Sequence, residues 1–371
     1  MKNTKTFLLI ITTTILFYNC DPNNEDLISE PVSDSQEDPV LVSNLSFNEI
    51  YAFEDNLLGG PHIGMTYSSS DNNLFISCRE NEPTGYTTEE EVFKLNLDSY
   101  QLTRRNVSPG GFVTKQLTLI NDTLVSIGGT EFKFFDRNFE YAGSQPYFTI
   151  PSCGSSDPDC FGLNRFGIAS HNNDTYIIGG AIVRPSNLTT PGDPAGDYSN
   201  PKIRILRGDV TGNFLEEFID APETMYRANG AVVNEKLYVF GSILENNNSV
   251  DANKIFIIPL NNPQNYEEYS MTVDASFTYV QEYGDMIIVA GRKGFNDSPK
   301  TSFVAFFDTT TNTFKEIETN LDTEGGTKAI GQMIVKENKI IILFGDRSRQ
   351  GVPQSKWSIL SADLLEDKKS N

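Results

Sequence analysis

Six short apolar runs recur along the chain, and their spacing constrains the fold more than any other feature. They are Leu74–Phe75–Ile76–Ser77–Cys78, Leu124–Val125–Ser126–Ile127–Gly128, Thr175–Tyr176–Ile177–Ile178–Gly179, Leu237–Tyr238–Val239–Phe240–Gly241, Ile287–Ile288–Val289–Ala290–Gly291 and Ile341–Ile342–Leu343–Phe344–Gly345. Their last positions are separated by 50, 51, 62, 50 and 54 residues. A period near fifty residues, built on a short apolar run ending at a small residue, marks a four-stranded blade of a β-propeller. The fold class read from this is all-β, a six-bladed β-propeller.

The neighbouring segments supply the other strands of each blade. Ahead of the apolar run lies a second run that ends in a polar turn, as in Gly167–Ile168–Ala169–Ser170 before His171–Asn172–Asn173–Asp174, or Ala231–Val232–Val233 before Asn234–Glu235–Lys236. Asn, Asp and Gly at these points suit tight hairpins. A third strand follows the glycine, for example Ile203–Leu206, Ile255–Ile258 and Phe303–Phe307. A more polar fourth follows it, such as Thr313–Ile317, whose alternation fits one wet face. The sixth blade runs out after Trp357–Leu360, so Phe47–Asn48–Glu49–Ile50–Tyr51, stranded before the first blade, is expected to close the ring. Closure by this N-terminal strand removes an edge that would otherwise invite pairing with another chain.

The chain divides into residues 1–19, 20–42, the propeller at 43–366 and a tail at 367–371. Residues 1–19 carry Lys2 and Lys5 ahead of an apolar run from Phe7 to Phe17, the pattern of an export signal. The run is shorter than the roughly 20 residues of a spanning helix. Leu16–Phe17–Tyr18–Asn19–Cys20 resembles the lipobox of bacterial lipoproteins, which implies lipidation of Cys20; an ordinary secretory signal is the alternative. Residues 20–42 hold seven acidic residues and Pro22, Pro31 and Pro39, a composition that reads as a self-repelling spacer. An acidic stretch directly after the cysteine also resembles the surface-export signal of Bacteroidetes lipoproteins. That resemblance implies a lipid-anchored protein of the outer membrane, facing the cell exterior.

Beyond residue 19 the chain keeps 27 Lys and Arg against 50 Asp and Glu, a net charge of −23. That balance argues against a nucleic-acid partner. Cys78 falls inside a strand, where it reads as a small buried hydrophobe. Cys153 and Cys160 flank Gly154–Ser155–Ser156–Asp157–Pro158–Asp159, and in an oxidising compartment they read as a disulfide. A metal site would want more ligands at tighter spacing.

Two blades carry a further pattern. Asn164–Arg165–Phe166–Gly167–Ile168–Ala169 leads to Ile178–Gly179–Gly180, and Tyr226–Arg227–Ala228–Asn229–Gly230–Ala231 leads to Phe240–Gly241–Ser242. Arg, then small residues, then an apolar run closing on glycine resembles the kelch repeat, and the resemblance spans residues 47 to about 365. Of the six apolar runs, only those ending at Gly128 and Gly179 close on a double glycine, Gly128–Gly129 and Gly179–Gly180. The resemblance implies a ligand site at the end of the ring where first strands begin and second strands end. There the beginning loops supply Arg165, Arg227 and His62, and the leaving loops supply Arg79, Arg184, Arg292 and Arg347. Guanidinium forks suit carboxylates, sulfates and sugar hydroxyls, and Tyr226, Tyr86 and Tyr198 could stack on sugar rings. Bracing of neighbouring blades is the competing role for these arginines.

Copper radical oxidases, which resemble kelch propellers, need two histidines at one centre. Here His62 and His171 fall at opposite ends of their blades, so copper chemistry is not expected and no cofactor is implied. Two main readings remain. One is a surface-tethered module that binds a glycan or small acidic sugar for polysaccharide capture. The other is a carbohydrate-active enzyme, a polysaccharide lyase or sugar-acid mutarotase, with His62 and Glu80 as the candidate acid–base pair near arginines. A third is a scaffold for outer-membrane protein partners.

Overall fold

The structure, a computed structural model, describes residues 41–54, 58–82, 85–106, 116–120, 123–127, 131–146, 161–172, 174–183, 197–209, 213–220, 225–245, 248–250, 252–275, 277–293, 301–321, 328–346 and 356–366. These residues form strands and turns, with no helix among them. Blade one is built from β3 (Gly59–Ser68), β4 (Asn73–Glu82), β5 (Gly85–Asn96) and β6 (Leu102–Asn106). Blade two holds β7 (Gln116–Ile120), β8 (Thr123–Ile127), β9 (Glu131–Phe135) and β10 (Tyr141–Pro146), and blade three β11 (Phe161–His171), β12 (Asp174–Val183), β13 (Asp197–Asp209) and β14 (Asn213–Asp220). Blade four comprises β15 (Met225–Val233), β16 (Lys236–Glu245), β18 (Ala252–Pro259) and β19 (Glu267–Ala275), with the short β17 (Asn248–Val250) on β16. Blade five holds β20 (Phe277–Tyr283), β21 (Met286–Lys293), β22 (Thr301–Asp308) and β23 (Thr313–Thr319). Blade six holds β24 (Lys328–Lys336), β25 (Lys339–Asp346) and β26 (Trp357–Asp363). The first strands β3, β7, β11, β15, β20 and β24 touch in succession, and β24 meets β3, so the sheets close into a six-bladed β-propeller.

The apolar runs are the second strands, and their side chains explain why they do not alternate with polar residues. Ile287 and Val289 pack toward blade four, while Ile288 and Ala290 pack toward blade six. Ile340 and Ile342 likewise face blade five, and Ile341 and Leu343 face blade one. A strand buried on both faces reads as a near-continuous apolar run, broken here only by small residues such as Ser77 and Ser126. The core is therefore a set of separate layers between neighbouring blades, one at each of the six junctions. Cys78 belongs to one of these layers, is 1% exposed and forms no disulfide.

Ring closure follows the expected route and adds a second attachment. β2 (Asn48–Ala52) pairs antiparallel with β26, one residue along from the strand expected at Phe47–Tyr51. Just before it, β1 (Asn44–Leu45) pairs parallel with β23, making blade five five-stranded. Between the two strands Phe47 N donates to Asn320 Oδ1 at 2.8 Å, and Asn320 Nδ2 donates back to Phe47 O at 3.0 Å. Leu41 forms an isolated antiparallel bridge to Leu365. Leu45 and Phe47 sink into the layer between blades five and six, and Phe53 into the layer between six and one. One short segment thus ties three blades together.

Candidate binding face of the ring

The hairpin turns between first and second strands define one end of the propeller. Their residues include Asn72, Asn172, Asn234, Glu235, Gly284 and Glu337, all with φ between 50° and 59°, the left-handed conformation that tight hairpin turns demand. Among the described residues, contacts at this end join neighbouring blades at five junctions. His171 of blade three meets Glu235 of blade four, Nε2 to Oε1, at 2.8 Å, and Asn234 Nδ2 donates to Asp285 Oδ1 of blade five at 3.0 Å. The Tyr283 hydroxyl of blade five donates to Asn338 Oδ1 of blade six at 2.8 Å. Lys336 Nζ of blade six donates to Asn72 Oδ1 of blade one at 2.7 Å, and Arg137 of blade two pairs with Asp71 at 3.4 Å. These turns share one end, so antiparallel pairing gathers the starts of the first strands and the finishes of the second strands at the other.

At that other end, register places three of the expected residues alike. Gly64 of blade one pairs with Ser77, Gly167 of blade three with Ile178 and Asn229 of blade four with Phe240. Each partner stands just before the residue that closes its apolar run. Pairing breaks immediately upstream in all three blades, leaving His62, Arg165 and Arg227 at the same position, two residues before Gly64, Gly167 and Asn229. In blade three, packing against blade four leaves no room for a side chain beside this break: a Cβ on Gly167 would lie 2.5 Å from the Asn229 Cα.

The second strands of blades one and five run past the ends of their apolar runs, which moves two arginines from the expected leaving loops into strands. β4 extends to Glu82 and β21 to Lys293, so Arg79 pairs with Gly59 and Glu90, and Arg292 with Phe277 and Ser302. Arg292 is 6% exposed. Register along β21 is unbroken, so Arg292 shares parity with Ile288 and Ala290 and lies in the layer between blades five and six. Glu80 falls between the paired Arg79 and Asn81, at a register break. Tyr226 pairs with Ser242, Tyr86 with Asn81, and Tyr198 lies in β13. Arg184, Arg347, Cys20, Cys153 and Cys160 lie outside the described residues.

Three further polar residues hold this part of the ring and were not anticipated. Gln332 Nε2 donates to Ile63 O at 2.6 Å, joining blades six and one beside His62. Asn229 Nδ2 donates to Thr278 O at 3.5 Å, and the Thr278 hydroxyl donates to Phe240 O at 3.3 Å, joining blades four and five. Gln332 and Thr278 are buried, where a polar group is retained only with a partner. The signal was present: Gln332 interrupts the apolar run Ala329–Ile334, and Asn229 follows Arg227 by two. Among the described residues no three His, Cys, Asp or Glu side chains gather as a metal site.

No protein-family model and no curated protein matches the sequence. Among solved structures, an oligogalacturonate lyase in complex with manganese is similar at 12% identity and a TM-score of 0.46, over 88% of this chain and 98% of that one. The class that the fold itself defines is the six-bladed β-propeller.

Proposed function

We propose that the chain is a kelch-type surface lipoprotein, anchored through Cys20 to the outer membrane. Its propeller captures a glycan or acidic sugar at the end of the ring opposite the hairpin turns. The observation that carries this reading is the shared register of His62, Arg165 and Arg227 in three blades, with Arg79 on the second strand beside the first of them. Cationic groups repeated at one position around a ring converge on a common ligand, and guanidinium groups bind carboxylates through paired hydrogen bonds. Arg184, Arg347 and Tyr226 would complete the wall of this mouth, and a Cys153–Cys160 disulfide would brace the segment before β11. Burial of Arg292 favours a supporting role for it.

One observation favours an enzyme on the same site. His62 and Glu80 both fall at breaks in the register of blade one, the only blade in which a histidine and a carboxylate do so among the expected site residues. An acid–base pair beside arginines could abstract the proton next to a uronate carboxylate or open a sugar-acid ring. The test is to incubate the purified protein with oligouronates and sialic acid, reading binding by calorimetry and product by ultraviolet absorbance and NMR. Saturable binding without product supports capture, and product formed by wild type but not by His62→Ala supports the enzyme. Neither binding nor product overturns both and leaves the protein-scaffold role.

A further inference from the structure

A polar groove of about 460 Å³ opens at the hairpin-turn end of blade one, lined by Asp71, Asn73, Lys94, Asn96, Ser99, Gln101 and Thr103. It lies on the side of the blade that faces blade two. Lys94 shares parity with Val92, which packs against blade two, and its ammonium stands 5.9 Å from the centroid of the buried Phe75 ring. Asp71 at the groove's inner end pairs with Arg137 of blade two.

The groove is rigidly built. Asn96 Nδ2 donates to Asp71 O at 3.2 Å and to Asn73 Oδ1 at 3.0 Å, tying its two banks together. Asn96 Oδ1 accepts from the Asp98 and Ser99 amides at 3.1 and 2.9 Å, and from the Ser99 hydroxyl at 2.9 Å. That fixes the β5–β6 turn, and the turn holds Tyr100 at φ 55° between two lining residues, Ser99 and Gln101. Phe139 of blade two, itself at φ 65°, packs edge-on against Phe75, the ring under the Lys94 ammonium.

A second observation points to a ligand. Among the described residues two large hydrophobic side chains are markedly exposed, Tyr100 at 47% and Tyr141 at 50%. Tyr100 lies in the β5–β6 turn between the lining residues Ser99 and Gln101, and Tyr141 of blade two packs on Phe135, a member of the layer between blades one and two, with ring centroids 5.9 Å apart. An exposed aromatic residue on a turn that lines a trough of amides, hydroxyls and a carboxylate fits a ligand with alternating apolar and hydroxylated faces. The lining carries one carboxylate and one ammonium, so it has no net charge to select an anion. The volume falls inside the roughly 300–1,000 Å³ of small-molecule sites.

We propose that this groove is a second saccharide site, taking a neutral pyranose or disaccharide by hydrogen bonds to Asn73, Gln101 and Thr103 and by stacking on Tyr100. It is separate from the arginine-bearing end and stands whether or not an acidic glycan binds there.

The experiment titrates the full chain with maltose, cellobiose, lactose and mannobiose, and with galacturonate as the anionic control, by calorimetry and NMR. It compares wild type with Tyr100→Asn, Thr103→Val and Arg227→Ala. Asn tolerates the left-handed backbone at position 100, and Val suits the exposed strand position 103, so both variants keep the fold, which melting curves verify. The expected result is saturable binding of at least one neutral disaccharide. It should weaken about tenfold in Tyr100→Asn, the upper value for one stacked ring, weaken in Thr103→Val and be unchanged in Arg227→Ala. The proposal is overturned if no neutral disaccharide binds, if Tyr100→Asn and Thr103→Val bind as wild type does, or if galacturonate is the ligand that Tyr100→Asn loses.

Discussion

The two ends of the ring solve opposite problems with different chemistry. At the hairpin end, short turns in left-handed conformation pass hydrogen bonds or ion pairs from blade to blade, at five junctions among the described residues. At the other end, first strands break register and carry His62, Arg165 and Arg227, while buried side chains such as Gln332 bond to backbone carbonyls beneath them. The hairpin end is held by regular geometry with exposed polar contacts on top. The bulged end departs from regular geometry and is steadied from inside by buried hydrogen bonds, each with more at stake than an exposed one. Irregular backbone steadied from beneath is how a scaffold presents functional side chains.

The heaviest stress on this comparison is to cut the strap that both ends depend on. Phe47 is 6% exposed, and Asn320 holds its backbone on both sides. Phe47→Ala should cost about 3–5 kcal/mol, the range for a buried phenylalanine. Deleting residues 1–52 should abolish cooperative melting, because β1 and β2 leave with them. Circular-dichroism melts measure both. A truncated chain that melts as sharply as wild type would show that six blades close without the strap.

Next comes a contrast within the bulged end. Arg292 lies buried between blades, so Arg292→Ala should lower stability by about 1–3 kcal/mol through stranded polar groups. Arg227 stands at a bulge, and Arg227→Ala should leave melting nearly unchanged while weakening an acidic ligand by about 1.5–3 kcal/mol, the worth of a hydrogen bond to a charged group. Equal losses of stability in both variants would make Arg227 a brace as well.

Much of the fold is legible in the sequence, because a buried second strand must be almost wholly apolar and a tight turn favours Asn, Asp or Gly. Those demands recur in every blade and are local. The parallel pairing of Asn44–Leu45 with β23 was not legible, since two residues carry no periodicity and the partner lies in another blade. Nor were the contacts between turns: Lys336 and Asn72 stand 264 residues apart, and nothing local marks them as partners. The arginines were found by position relative to the glycines. Their division into buried and bulged could not be, because it depends on the register of each strand beyond its apolar run, unbroken through Arg292 in β21 and broken beside Arg165 and Arg227 in β11 and β15.

A smaller effect tests how far hairpin turns stabilise themselves. Asp308 accepts hydrogen bonds from the Thr310 hydroxyl at 2.6 Å, the Thr310 amide at 2.8 Å and the Thr311 amide at 3.2 Å in the β22–β23 turn. The Thr310 hydroxyl bond leads in holding its carboxyl below the ordinary range, against a smaller opposing effect of burial. A depressed folded-state pKa gives stability that is full above the unfolded value of about 3.9 and is lost as pH falls through the folded value. Asp308→Ala should therefore melt below wild type at pH 7, and the gap should narrow as pH drops below about 4. A gap that is constant with pH would mean that the carboxylate charge contributes nothing to the turn.

The smallest effect is expected at the junction of blades three and four. His171 and Glu235 sit 2.8 Å apart, but the Glu235 side chain is 71% exposed, so solvent screens the pair and holding two side chains in place offsets much of the gain. His171→Ala should cost about 0–1 kcal/mol, as exposed pairs do, and high salt should shrink the difference further. The apolar layer beneath, with Tyr176, Ile178, Leu237 and Val239, is untouched by the change and carries the junction. A loss of several kcal/mol, measured by denaturant titration of His171→Ala, would reverse the ranking of the two ends. The contacts between hairpin turns, rather than the buried layers and the strap, would then hold the ring closed.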